Sequence, residues 1–161
     1  PTGTPRNEFV GAEKKHYVEN QGSTCEITIE RADTRVYIQG CVGAKVIIKG
    51  KVNSIFVDTC RKTDVVFETS MASCEVVNCT RMNVYVGEKV PSVAIDKTDG
   101  IVVHLPESSM DTNIVASKSS EMNLSWYDKN DELIEKPIPE QFIYKIDPKT
   151  MQVISEVSDL Y

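Results

Sequence analysis

Apolar residues recur through the middle of this chain at a 19-residue step. Starting at Ile27, the step gives Ile27, Val46, Val65, Val84, Val103 and Met122. Starting at Ile29, it gives Ile29, Ile48, Phe67, Val86, Leu105 and Leu124. A third ladder begins half a period on with Ile38, Val57, Val76, Ile95 and Ile114, and a fourth runs Val36, Ile55, Cys74, Val93 and then Thr112. At 40% apolar content, chance does not produce ladders this clean. A fixed period near 20 means a solenoid, in which each repeat buries its apolar face against its neighbours.

The period also selects the kind of solenoid. Each repeat holds two short β-branched runs, such as Val36-Tyr37-Ile38 and Val46-Ile47-Ile48, whose ladder positions are two apart. Two is the spacing of a strand face, and no comparable stretch shows helical spacing. The dense leucine pattern of leucine-rich repeats is missing, and 19 is not a multiple of the hexapeptide step. The expected fold is therefore all-β: a parallel β-helix of about six 19-residue coils over residues 21–127. Residues 1–20 read as an N-terminal extension, 128–141 as a linker and 142–161 as a C-terminal β-hairpin and tail. Polar and glycine-bearing corners punctuate the strands at Gly40-Cys41-Val42-Gly43, Asp58-Thr59-Cys60-Arg61 and Asp96-Lys97-Thr98-Asp99-Gly100.

Charge and composition narrow the function classes. A formal charge of −6 disfavours general attraction to nucleic acid or an anionic membrane. No apolar run approaches the roughly 20 residues of a membrane span. Five cysteines without a secretory pattern favour a reduced, cytoplasmic protein. Cys41, Cys60 and Cys79 lie 19 apart and should stack on one edge, with Thr98 and Ser117 continuing the column. No histidine or carboxylate recurs beside them and no Cys-x-x-Cys occurs, so they read as small residues filling a corner, and no metal is expected.

Outward strand positions should be polar, and several are not. Ile47, Val66 and Tyr85 form adjacent rungs on one sheet, and Tyr37 and Phe56 on the other. A contiguous apolar stripe asks for a cover. Near the C-terminus, Phe142, Tyr144 and Ile146 alternate, Asp147-Pro148-Lys149-Thr150 makes a turn, and Met151 and Val153 alternate again. That is a β-hairpin, and a lone hairpin is marginal in water. It must dock on its own solenoid or on a second copy, and the polar linker ahead of it eases exchange. A homodimer through Phe142, Tyr144, Ile146, Met151 and Val153 is expected.

Catalysis finds little support. Neither His16 nor His104 belongs to a nucleophile motif, and Gly40-x-x-Gly43 lacks the lysine and hydroxyl of a phosphate loop. Asp58 and Asp96 fall two rungs apart, about 10 Å, slightly beyond an inverting carboxylate pair. They read as corner turn-formers, and no enzyme activity or cofactor is expected.

Five segments carry a family resemblance. They are Lys51-Val52-Asn53-Ser54-Ile55, Asp58-Thr59-Cys60-Arg61-Lys62, Val90 to Gly100 (VPSVAIDKTDG), Ala116 to Asn123 (ASKSSEMN) and Ile138-Pro139-Glu140-Gln141-Phe142. In this order they resemble the C-terminal actin-binding domain of the adenylyl cyclase-associated proteins. The resemblance implies a right-handed coil, dimerised by exchange of the C-terminal hairpin. It also implies binding of monomeric actin, preferably ADP-loaded, and promotion of its nucleotide exchange. The polar, outward residues of the matching segments are then the candidate actin contacts: Arg61, Lys62, Lys97, Asp99, Lys118, Ser119, Glu121 and Asn123. Glu121 and Asn123 flank the inward Met122, so both should face out; the tail Ser158 to Tyr161 is a further candidate.

Two other functions fit the same fold. Tubulin-cofactor-C-like proteins activate GTPases through an arginine in a Gln-x-Arg motif, but none of Gln21, Gln39, Gln141 and Gln152 has arginine two residues on. A dimerisation scaffold without actin affinity is the other.

Overall fold

A computed structural model describes residues 3–158 of the 161. The chain winds into a parallel β-solenoid of about six coils with a separate C-terminal hairpin, the architecture that the ladders predict. The strands are β1 (Arg6–Val10), β2 (Lys15–Glu19), β3 (Thr24–Thr28), β4 (Arg35–Gln39), β5 (Lys45–Asp58), β6 (Asp64–Val77) and β7 (Thr80–Lys89). They continue as β8 (Ser92–Asp96), β9 (Asp99–His104), β10 (Asn113–Ser117), β11 (Ser120–Tyr127), β12 (Leu133–Pro137), β13 (Phe142–Ile146) and β14 (Val153–Val157).

Two parallel stacks face each other across the core. One holds β2, β4, the second halves of β5 and β6, β8 and β10; the other holds β3, the first halves of β5 and β6, β7, β9 and β11. β5 and β6 serve both stacks because each bends through a corner, marked by register shifts after Ile48 and Val52. Gly50 makes that bend: its φ is +98° and a Cβ there would lie 2.6 Å from the Ile29 carbonyl oxygen, so no other residue fits.

The core is the ladder interior. Val46, Val65, Val84 and Val103 stack in register and are fully buried, as are Val36, Val57, Val76 and Val93.

The step is not 19 throughout, which corrects the ladders at both ends. Val46 stacks on Cys25, and Ile48 on Ile27, a step of 21. At the other end Leu124 stacks on Val103, Met122 on Ile101, and Ile114 rather than Thr112 on Val93, again a step of 21. Each insertion lies at the corner remote from the cysteines, before β4 and in the segment containing the 3-10 turn Glu107–Ser109. A two-residue insertion preserves strand parity, so every side chain keeps its face while its stacking partner changes.

Both ends extend beyond the regular coils. At the N-terminus β1 and β2 form an antiparallel hairpin, and β2 stacks on β4, bringing fully buried Val18 against Ile38. At the C-terminus the stretch read as a linker contains a strand. β12 pairs antiparallel with β11, after a turn in which the Asp128 carboxylate accepts from the N–H groups of Asn130 and Glu132. Its alternation was too short to read, with only Leu133 and Ile134 apolar ahead of Lys136 and Pro137.

β13 and β14 form their own two-stranded sheet. Register puts Phe142, Tyr144 and Ile146 on one face with Val157, Ser155 and Val153. Within one chain this face stays uncovered: Tyr144 and Ile146 are 68% exposed, Val153 71% and Met151 77%.

Candidate functional site

The polar corner after β4 and after each later strand of its stack is a four-residue unit repeated up the solenoid: Gly40–Gly43, Thr59–Lys62, Asn78–Arg81, Lys97–Gly100 and Lys118–Glu121. First and last residues of every unit have positive φ: Gly40 and Gly43 at 68°, Thr59 53° and Lys62 49°, Asn78 55° and Arg81 56°, Lys97 48° and Gly100 85°, Lys118 and Glu121 51°. This left-handed conformation turns the chain sharply between the stacks, and costs a residue with a Cβ about 1–2 kcal/mol. Ladder hydrogen bonds hold it: the N–H groups of Thr59, Lys62, Asn78 and Lys97 each donate to a carbonyl of the next coil, at 3.0–3.1 Å.

The second residue of each unit points inward, forming the column Cys41, Cys60, Cys79, Thr98 and Ser119. Ser119, not Ser117, is its last rung, because of the insertion before β10. Each side chain donates to the carbonyl two residues back: Cys41 to Gln39, Cys60 to Asp58, Cys79 to Val77, Thr98 to Asp96 and Ser119 to Ser117. From Cys79 on it also accepts the N–H of the rung below: Cys60 N–H to Cys79 Sγ at 3.4 Å, Cys79 to Thr98 Oγ1 at 3.3 Å, Thr98 to Ser119 Oγ at 3.1 Å. The column therefore selects small side chains that can both donate and accept. Hydrogen bonds with Cys41 and Cys79, and then burial, push the Cys60 thiol pKa up, and the same hydrogen bonds lower those of Cys41 and Cys79.

The third and fourth residues point to solvent. Arg61, Lys62, Asp99 and Glu121 line one open cleft of about 480 Å³ with Thr80 and Arg81. Four of the eight candidate contacts thus converge. Lys97 and Lys118 open the two last units, exposed on the same edge. Ser119 belongs to the hydrogen-bonded column, and Asn123 lies apart, on β11 between Val102 and Pro137. Of the tail, Ser158 donates its N–H to the Gln141 carbonyl, and Asp159 to Tyr161 lie outside the described residues. Arg81 is the residue that sequence reasoning missed. Its signal was available, 19 residues after Lys62.

Among the described residues, none of Arg61, Lys62, Arg81, Lys97 and Lys118 is in an ion pair, whereas Lys49 meets Glu26 and Lys89 meets Asp111, both at 2.6 Å. Asp99 accepts the Ser120 hydroxyl at 2.7 Å and Asp58 the Thr59 hydroxyl at 2.8 Å, so these acids are engaged by corner hydroxyls. A second cleft of about 610 Å³ joins this edge to the hairpin, with Lys118, Ser119, Ile114, Ile138, Phe142 and Tyr144 on its walls. The arrangement offers a row of unpaired cations on a rigid backbone, suited to binding a protein surface.

Residues 3–160 match the family described as the C terminal of adenylate cyclase associated protein (CAP). The chain belongs to the CAP C-terminal domain family. Its relatives include the adenylyl cyclase-associated protein of Dictyostelium discoideum, 49% identical over 132 residues, and the human adenylyl cyclase-associated protein 1, 41% identical over 131. Each alignment covers 80% of this chain and 28% of the relative, so the chain spans just over a quarter of their length. The crystal structure of the cyclase-associated protein from Cryptosporidium parvum superimposes with a TM-score of 0.91 at 25% identity, over 98% of this chain and 97% of that one. The CAP C-terminal fold thus includes the terminal hairpin as well as the solenoid. No helix among the described residues is long and apolar enough to cross a membrane.

Proposed function

We propose that this CAP C-terminal domain binds monomeric actin through the polar corner edge, as a homodimer assembled by exchange of β13–β14. The observation that carries the binding surface is the set of unpaired cations at Arg61, Lys62, Arg81, Lys97 and Lys118. Most stand where glycine would relax the backbone, and side chains retained at strained positions point to use. The segments that resemble the actin-binding family contain Arg61, Lys62, Lys97, Asp99, Lys118, Ser119, Glu121 and Asn123, and Arg81 joins their cleft.

The exchange is supported by the uncovered apolar face of the hairpin and by the open edge of β10, which among the described residues pairs only with β8. Ile114 and Leu124 at that end are only partly buried. A second copy's hairpin can cover both, and reciprocal exchange closes a twofold dimer with two equivalent binding edges.

The domain accelerates nucleotide exchange by favouring an opened nucleotide cleft of actin over the closed one, and prefers the ADP form for the same reason. Only unequal affinity for the two conformations can do this, and no covalent step is needed. Release of a fluorescent nucleotide from ADP-actin tests it: the rate rises with domain concentration to a plateau, and an unchanged rate at saturation refutes the proposal. Deleting residues 142–161 should leave a monomer in sedimentation; a truncated chain that stays dimeric refutes the exchange.

A further inference from the structure

The outer face of the β11 stack carries a second feature, remote from the polar corner. Across β7, β9, β11 and β12 the register aligns Tyr85, His104, Ser125 and Glu135 in one row, with Tyr127 opposite Leu133 in the next. The Tyr85 and His104 rings stack at 4.1 Å and 6°. That stack is fixed from the side: His104 Nε2 is 3.1 Å from Asn83 Oδ1, and Asn83 Nδ2 donates to Asp64 at 3.1 Å.

Ser125 is the small member of the row, so a notch of about 220 Å³ forms, walled by Tyr85, His104, Pro106, Tyr127 and Leu133. Apolar exposure around it is high, at 68% for Tyr127 and 59% for Leu133. Ser125 itself is 1% exposed, and its hydroxyl has no hydrogen-bond partner. An unmet buried hydroxyl beneath exposed aromatic walls asks for a ligand with a donor.

Charge decides which ligand. The 127–136 segment beside the notch holds Asp128, Asp131, Glu132 and Glu135 against Lys129 and Lys136. Glu135 lies in the row itself and is in no ion pair among the described residues, and both it and Asp64 act electrostatically on His104. A cation with a planar, donor-rich head fits an aromatic stack, an orphan hydroxyl and a free carboxylate together, and guanidinium is that group. The backbone supplies the rest. Among the described residues β12 pairs with β11 on one side only, so its other edge can accept an extended strand.

The geometry points to this notch as a docking site for an extended peptide segment bearing arginine. The arginine stem lies along the Tyr85–His104 stack, and its head donates to Ser125 and meets Glu135. The peptide backbone adds to the free edge of β12. This site is independent of the corner edge proposed for actin.

The test uses Trp126, the single tryptophan of the chain, which also lines the notch. The full chain is titrated with acetyl-Thr-Val-Arg-Val-Thr-amide while tryptophan emission is followed. A saturable emission change is expected. The same peptide with citrulline, isosteric but uncharged, should bind at least about tenfold weaker, and Glu135→Gln should weaken the arginine peptide by a similar factor. Glu135 is exposed, so the variant keeps its fold, checked by circular dichroism. No emission change up to about 5 mM peptide, a range that covers weak peptide docking, overturns the site. Equal binding of the citrulline peptide, or an unaffected Glu135→Gln variant, overturns the guanidinium assignment.

Discussion

The inward column at the polar corner allows a substitution whose sign separates two accounts of the same residues. Cys79 is 2% exposed. Its sulfur accepts the Cys60 N–H at 3.4 Å and donates to the Val77 carbonyl at 3.2 Å. If the column merely fills space, alanine should suit position 79 better than serine, because alanine buries no hydroxyl. If the column is a hydrogen-bonded ladder, Cys79→Ala removes the acceptor of a buried backbone N–H, which costs about 1–3 kcal/mol. The lost sulfur contact adds roughly one methylene's worth, about 0.8 kcal/mol. The sum is about 2–4 kcal/mol for alanine. Cys79→Ser keeps a donor and an acceptor, as Thr98 and Ser119 do one and two rungs further along, and should cost about 1 kcal/mol or less. The assay is urea unfolding of both variants beside the parent, followed by far-ultraviolet circular dichroism and compared at constant m. Serine should be more stable than alanine by about 1–3 kcal/mol. Alanine equal to or more stable than serine refutes the ladder, whatever the absolute costs.

Other outcomes follow from the same geometry. Phe67→Ala, emptying a core site that is 1% exposed, should cost about 3–5 kcal/mol in the same unfolding assay. Lys97→Gly relaxes a φ of 48° and should leave stability unchanged or raised by up to about 1 kcal/mol, while weakening actin binding in the nucleotide-release assay. Burial holds His104 below its ordinary 6.5, so as pH falls below that value the unfolded chain takes up a proton before the folded one does. Stability should therefore be fully present above about pH 6.5 and decline as the pH falls below it, and His104→Gln should flatten that slope in urea midpoints.

Strand positions and facing were legible because side chains alternate with period two, a rule that any two-residue insertion leaves intact. The stacking partners at the ends were not. Ile27 and Ile29 are both apolar, as are Met122 and Leu124, so a ladder drawn with the wrong step stays apolar. The insertion before β10 then moved the column's last rung from Ser117 to Ser119, which turned a candidate contact into a hydrogen-bonded rung. Apart from Gly40, Gly43, Asn78 and Gly100, the corner's left-handed residues carried no compositional mark, since Lys62, Arg81, Lys97, Lys118 and Glu121 are not residues that announce positive φ. Glu121 joined the corner cleft for that reason. Asn123, two residues on in β11, remained on the sheet face.

The location of the candidate sites follows from what a solenoid can leave free. Inside the stack each coil's backbone is satisfied by the coils above and below, and its apolar rungs bury one another, so residue identity there is dictated by packing. Freedom exists only at the corners, on the outer faces and at the two ends. At the N-terminal end β1 covers the edge of β2 over fully buried Val18, while β3, among the described residues, pairs with β5 alone. At the C-terminal end β12 covers the edge of β11, and no described residue pairs with the outer edge of β10. The hairpin that could cover it exposes the apolar side chains of its own larger face. Each needs a partner of the other's kind, and their shared cleft runs into the corner unit that begins at Lys118. An exchanged hairpin would therefore order the last corner unit as well as close the end, so loss of the hairpin should weaken binding at Lys118 more than at Arg61, three coils away.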